Sequence, residues 1–81
     1  MKTITINVTK RDIKNGKPGA RFSCPIALSA TRKTGQCVIV DEGYIEIQGV
    51  SMALPAKAKA FVHAFDLGKP VKPIKFPVRV P

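Results

Sequence analysis

Seven residues near the end of the chain, Ile74-Lys75-Phe76-Pro77-Val78-Arg79-Val80, alternate apolar and polar with a proline at their centre. Alternation at a period of two is the signature of a half-buried strand. A proline inside such a strand has no N–H to donate, so the strand belongs at a sheet edge, and the flanking Lys75 and Arg79 discourage further pairing. The fold must therefore supply a partner on one side of this strand and leave the other side unpaired. The opening segment is the natural partner: Ile4, Ile6 and Val8 alternate with Thr3, Thr5 and Asn7. A mixed sheet in which the last strand does not meet the first stays open as an alternative.

The residues after the opening strand are equally specific. Thr9 and Asp12 stand at capping-box spacing, where each side chain satisfies a backbone N–H at a helix start, and Val8 and Ile13 occupy the two positions of a hydrophobic staple. Asn15-Gly16 offers residues that tolerate positive φ, so the helix is a single short turn. Lys17 to Arg21 then reads as loop.

Pro25 fits the first turn of a second helix, capped by Ser23 or Cys24, with Arg32 and Lys33 in the last turn and Gly35 as its stop. Cys37–Val40 and Tyr44–Ile47 are β-branched runs joined by Asp41-Glu42-Gly43, the pattern of a hairpin with glycine at its left-handed position. Leu54-Pro55 opens a third helical segment whose Ala58, Phe61, Val62 and Phe65 share one stripe, and Gly68 closes it. The order β, turn, α, β, β, α, β predicts an α+β fold of the ferredoxin-like split βαβ type. That is a four-stranded antiparallel sheet with two helices on one face, plus the short helical turn after the first strand.

The chain has 81 residues. Size scaling buries roughly 63% of the unfolded surface at this length, enough for one two-layer core, so residues 1–81 read as a single, complete domain. An apolar content of 44% excludes the composition of disordered chains. No apolar run approaches the length that spans a bilayer, and Met1 to Val8 lacks the apolar stretch of a signal peptide, so an intracellular protein is expected. Cys24 and Cys37 read as free thiols that pack as small hydrophobes.

Little in the chain supports catalysis. The glycines are scattered and form no phosphate-binding loop. A zinc site would need Cys24, Cys37 and His63 to converge with a carboxylate. Cys24 near a helix N-terminus has one reason for a lowered thiol pKa, but no base lies nearby in sequence, which makes packing its first role. His63 shares a helix face with Lys59 and Asp66, a solvated face rather than an acid–base cluster. No enzyme, cofactor, metal or small-molecule substrate is expected.

The charge is more informative. Fourteen Lys and Arg against five Asp and Glu give a net charge of +9. Lys10, Arg11, Lys14, Lys17 and Arg21 crowd an early stretch whose one acid is Asp12, and Lys69, Lys72, Lys75 and Arg79 occupy an acid-free tail. Pairing of the first and last strands would put both segments on one side, a patch attractive to phosphates or to an acidic protein surface. The open face of a single sheet would show Thr3, Thr5, Asn7, Tyr44, Glu46, Gln48, Lys75 and Arg79. One aromatic and one acid favour phosphate contact over base stacking, or a protein partner with Tyr44 as anchor. The expected partner is nucleic acid, with an acidic host protein that the chain inhibits or adapts as the alternative.

The stretch Ser23-Cys24-Pro25-Ile26-Ala27-Leu28, together with Leu54-Pro55, Phe61, Phe65-Asp66, Gly68 and the closing Phe76-Pro77-Val78-Arg79-Val80-Pro81, resembles a group of small, functionally uncharacterised proteins of tailed bacteriophages. The resemblance runs over nearly the whole chain, with the S-C-P-I-A-L stretch as its one compact motif. It implies a phage accessory protein acting in the cytoplasm of a bacterial host, and it carries no activity over.

Overall fold

A computed structural model describes residues 2–41 and 43–80, with only the backbone of Lys2 and Val80; Met1, Glu42 and Pro81, to which some of the sequence-based expectations extend, lie outside the described residues. Along the chain run β1 (Lys2–Val8), α1 (Lys10–Asn15), α2 (Pro25–Thr34), β2 (Val38–Asp41), β3 (Tyr44–Ile47), β4 (Val50–Ala53), α3 (Ala56–Asp66) and β5 (Ile74–Val80). The molecule is a small α+β domain with three helices and two antiparallel sheets among the described residues, one of β1 and β5 and one in the order β2-β3-β4.

The expected single four-stranded sheet is therefore replaced by a two-stranded ribbon and a separate three-stranded meander. The first and last strands do pair, from Lys2 opposite Val80 to Val8 opposite Ile74, with Thr5 opposite Pro77. In an antiparallel ladder a residue's N–H and C=O point to the same side, and that side alternates along the strand. Arg32 Nη2 donates from α2 to the Asn7 carbonyl at 3.4 Å, so the odd-numbered residues of β1 turn their backbone groups away from β5. Pro77 then sits in a non-hydrogen-bonded pair, and the N–H it lacks would have pointed outward. On that outward side β4 comes close. The two strands line a cleft with Thr3, Met52, Ala53, Pro77, Val78 and Arg79, but no ladder joins them. Pro77 withholds one donor on the side where a ladder to β4 would have to form.

β4 is the strand that the sequence reading missed. Gln48 and Gly49 both adopt positive φ, 54° and 78°, in a two-residue connection between Ile47 and Val50, which face each other. Positive φ at both central residues is the type I′ hairpin turn that matches strand twist. The β2–β3 hairpin stands where expected, with Asp41 opposite Tyr44, so that Asp41 belongs to the strand and the connection is two residues rather than three.

The helices follow their local signals. Thr9 caps α1: its Oγ1 accepts from Asp12 N at 3.2 Å while Asp12 Oδ2 accepts from Thr9 N at 2.9 Å. Cys24 caps α2, its Sγ accepting from Ala27 N at 3.4 Å, and Gly35 at φ 70° ends the helix. At the end of α3 the N–H of Gly68 donates to Phe65 O and that of Lys69 to Ala64 O, the paired bonds of a Schellman motif. Gly16 departs from expectation: its φ is −71°, and its function is space, because a Cβ there would lie 2.6 Å from Pro25 Cδ.

One core serves both sheets. Ile6, Val8, Phe76 and Val78 from the ribbon meet Val38, Val40, Ile45 and Ile47 from the meander, with Ile26, Ala27 and Ala30 of α2 and Leu54, Ala58 and Phe61 completing the cluster. Ala27 and Ala30 are fully buried, and α2 touches both β1 and β2. Their small side chains let one helix lie close to both sheets. Among the described residues no helix is long and apolar enough to cross a membrane.

Candidate functional site

The pairing of β1 with β5 builds the candidate surface. Alternation sends Ile6, Val8, Phe76 and Val78 inward and leaves Thr3, Thr5, Asn7, Lys75, Pro77 and Arg79 exposed on the other face. Register sets Asn7 opposite Lys75 and Thr3 opposite Arg79. Tyr44 and Glu46 belong to the separate meander and not to the ribbon. None of the six exposed ribbon residues is acidic.

A single residue, Thr9, separates the end of β1 from α1, so exposed Lys10, Arg11 and Lys14 cluster at the Asn7–Lys75 end of the ribbon. A salt bridge holds them there. Arg32 donates from Nη1 to Asp12 Oδ1 at 2.6 Å and from Nη2 to Asp12 Oδ2 at 2.9 Å, and the same Nη2 reaches the Asn7 carbonyl. Asp12 is 3% exposed, and burial by itself pushes its carboxyl pKa up. The hydrogen bonds from Arg32 and Thr9 and the Arg32 charge outweigh that, and the pKa ends below its ordinary value. The Asp12 hydrogen bond raises the Arg32 pKa in turn. The one acid in the early basic stretch is therefore spent on structure and does not neutralise the surface cations. In sequence Asp12 reads only as a cap and Arg32 only as a cation suited to a helix end; their pairing across 20 positions has no local signature.

Lys57 lines a depression of about 440 Å³ with Asn7, Pro73, Ile74 and Lys75. It brings a cation from α3 to the end of the ribbon that α1 already charges. Lys72 is exposed just ahead of β5.

Not every expected residue joins this surface. The loop after α1 runs toward β2 and the end of α3: Val40 N donates to Arg21 O at 3.0 Å and Gly19 N to Asp66 Oδ1 at 2.9 Å. Arg21 lies 3.6 Å from Asp41 in an exposed ion pair, worth little in water. Lys17 is exposed in the same loop, its N–H bonded to Ser23 O. Tyr44 is 55% exposed on the meander.

Groups capable of catalysis gather in the cleft beside that loop. Arg21, Cys24, Asp41 and Asp66 line a volume of about 290 Å³, and Lys59, His63, Asp66 and Leu67 line a neighbouring one. Cys24 and His63 open onto different clefts. Burial pushes the Cys24 thiol pKa up and outweighs the lowering by the helix-end N–H groups of Ala27 and Ile26, with the Asp66 charge adding to the rise, so the net shift is upward, contrary to one expectation from the sequence. Both cysteines are free thiols, Cys24 buried and Cys37 exposed. Among the described residues no group of three His, Cys, Asp or Glu is placed to hold a metal ion. No protein-family model matches this chain, and neither a curated protein nor a solved structure matches it.

Proposed function

We propose that this is a small, basic, non-enzymatic accessory protein that binds the phosphate backbone of nucleic acid through the charged end of its two-stranded ribbon. The observation that carries the reading is segregation of charge. Lys10, Arg11, Lys14, Lys57, Lys72, Lys75 and Arg79 are all exposed, on or beside a face without an acid, while the Asp12 carboxylate next to them is buried against Arg32. Cations arranged in this way displace counterions from a polyanion and speed its capture. The resemblance to small phage proteins supports a setting in the cytoplasm of a bacterial host. The test is anisotropy of a labelled oligonucleotide across salt concentrations. Affinity should fall steeply as salt rises, and an affinity indifferent to salt from low to physiological strength would refute the reading.

A second reading has its own observation. Phe22, Tyr44 and Leu67 are each more than half exposed on elements other than the ribbon, where an acidic host protein would find apolar anchors beside Arg21 and Lys59. Recovery of one dominant protein from nuclease-treated lysate, lost on Tyr44→Ala, would favour it; loss of all binding after nuclease treatment would favour nucleic acid.

A further inference from the structure

We propose that the outer face of the β1–β5 ribbon reads double-stranded DNA from the major groove, with the cations at its charged end on the flanking phosphates. This rests on the nucleic-acid reading above and adds duplex, groove and the residues that touch bases.

The separation into two sheets makes the proposal possible. A B-DNA major groove, about 12 Å wide, admits a two-stranded ribbon, whose strands lie about 4.8 Å apart, but not a four-stranded sheet. Among the described residues no third strand is hydrogen-bonded to β1 or β5, and β4, which runs beside β5, is set apart from it by the cleft at Met52, Ala53 and Pro77. The face carries three rungs, Thr3–Arg79, Thr5–Pro77 and Asn7–Lys75. Four of these residue types match base edges: Asn pairs with adenine N6 and N7, Arg and Lys with guanine O6 and N7, and Thr makes a hydrogen bond or touches the thymine methyl. The outer rungs lie four residues apart along each strand, about 13 Å, or about four base-pair steps at 3.4 Å. The middle rung carries only Thr5 and Pro77, so long side chains stand at the two ends and nothing bulky blocks the ribbon between them. Beside Asn7, the salt-bridged α1 supplies Lys10, Arg11 and Lys14 for phosphates at the groove's rim, and Lys57 adds a cation from α3.

Other nucleic acids fit less well. Single strands are held by stacking on aromatics, and this face has none. The major groove of A-form RNA is too deep and narrow for side chains to read. On the β4 side the exposed neighbours Ser51 and Ala53 are small and uncharged; the meander acid Glu46 lies one strand further out, opposite Ser51, whose Oγ donates to it at 3.4 Å.

The test uses the full chain and a pool of duplexes with a randomised core, selected by binding and sequenced, followed by anisotropy on the enriched duplex, an unrelated duplex, a single strand and a duplex RNA. The expected result is a shared core of about four to six base pairs. Asn7→Ala, which changes no charge, should lower affinity for the enriched duplex by about 5- to 150-fold and leave the unrelated duplex unchanged. Arg79→Ala should relax preference at the other end of the core. Binding that falls with salt but enriches no common core, or a preference that Asn7→Ala and Arg79→Ala both leave intact, would overturn groove reading and leave phosphate binding standing. Tighter binding to the single strand or to duplex RNA would overturn it in the same way. Failure to bind any of the four would overturn both readings.

Discussion

The two sheets of this domain are built by opposite means. The meander joins three four-residue strands, all within residues 38–53, and its exposed side chains include Tyr44, Gln48, Val50 and Ser51. The ribbon joins strands 66 residues or more apart in sequence, and its outer face carries polar and cationic side chains around Pro77. The meander's geometry is specified by turns, whereas the ribbon's depends on the core beneath it and on α1 beside it. The ribbon's polar and cationic face is made from segments far apart in sequence, with a proline at its outer edge.

Both sheets stand on the same core. Phe76, 1% exposed under the ribbon, and Phe61, 5% exposed on α3, should each cost about 3–5 kcal/mol on substitution by alanine, read by urea denaturation. A loss well under 1 kcal/mol at either would mean that its side of the molecule does not share the core.

Next in size is the clamp that holds the charged helix against the ribbon. Asp12→Ala removes the reciprocal cap and both charge-assisted bonds from Arg32, and should cost on the order of 2–4 kcal/mol. The pH dependence has a definite sign. The folded Asp12 pKa lies below its ordinary value, so its contribution is complete above the ordinary carboxylate range and is lost as pH falls below about 4 toward the folded value. Chemical denaturation across pH should show that acid-side loss in the wild-type chain and a smaller one in Asp12→Asn. Equal acid lability in both would show that the clamp is not what acid releases.

Gly16→Ala should cost about 1–3 kcal/mol, since the added carbon meets the Pro25 ring and the neighbouring backbone in a packed region. The smallest change is expected in the meander: Gln48→Gly relieves a positive φ and should leave stability unchanged or raise it by up to about 1 kcal/mol, with no effect on binding.

What the sequence made legible was local or periodic. The cap Thr9–Asp12, the stop at Gly35, the Tyr44–Ile47 strand and the stripe Ala58, Phe61, Val62 and Phe65 each announce themselves within a few residues. The edge position of the last strand came from Pro77 alone. Val50–Ala53 was not legible because Val-Ser-Met-Ala carries weak strand preference and little burial, and because Gln48-Gly49 is a less obvious turn pair than Asn-Gly. Without that strand the element order matches a single sheet, which puts Tyr44 and Glu46 on the same face as Lys75. Within the site, the cations were visible as composition. Their sorting was not, since it depends on contacts such as Asp12 with Arg32, Gly19 with Asp66 and Lys57 beside Lys75, which only the folded chain brings together.

The proposed binding of nucleic acid resides in the ribbon's charged end and not in the net charge of the molecule. The direct measurement is the dependence of duplex affinity on salt for two variants that lose the same charge, Lys10→Gln with Lys75→Gln at the ribbon and Arg21→Gln with Lys59→Gln on the meander side. The ribbon variant should bind more weakly, with its log–log salt slope reduced by about 1–2, and the meander-side variant should match the wild-type chain. Equal weakening in both, or no change in the slope of either, would contradict the account.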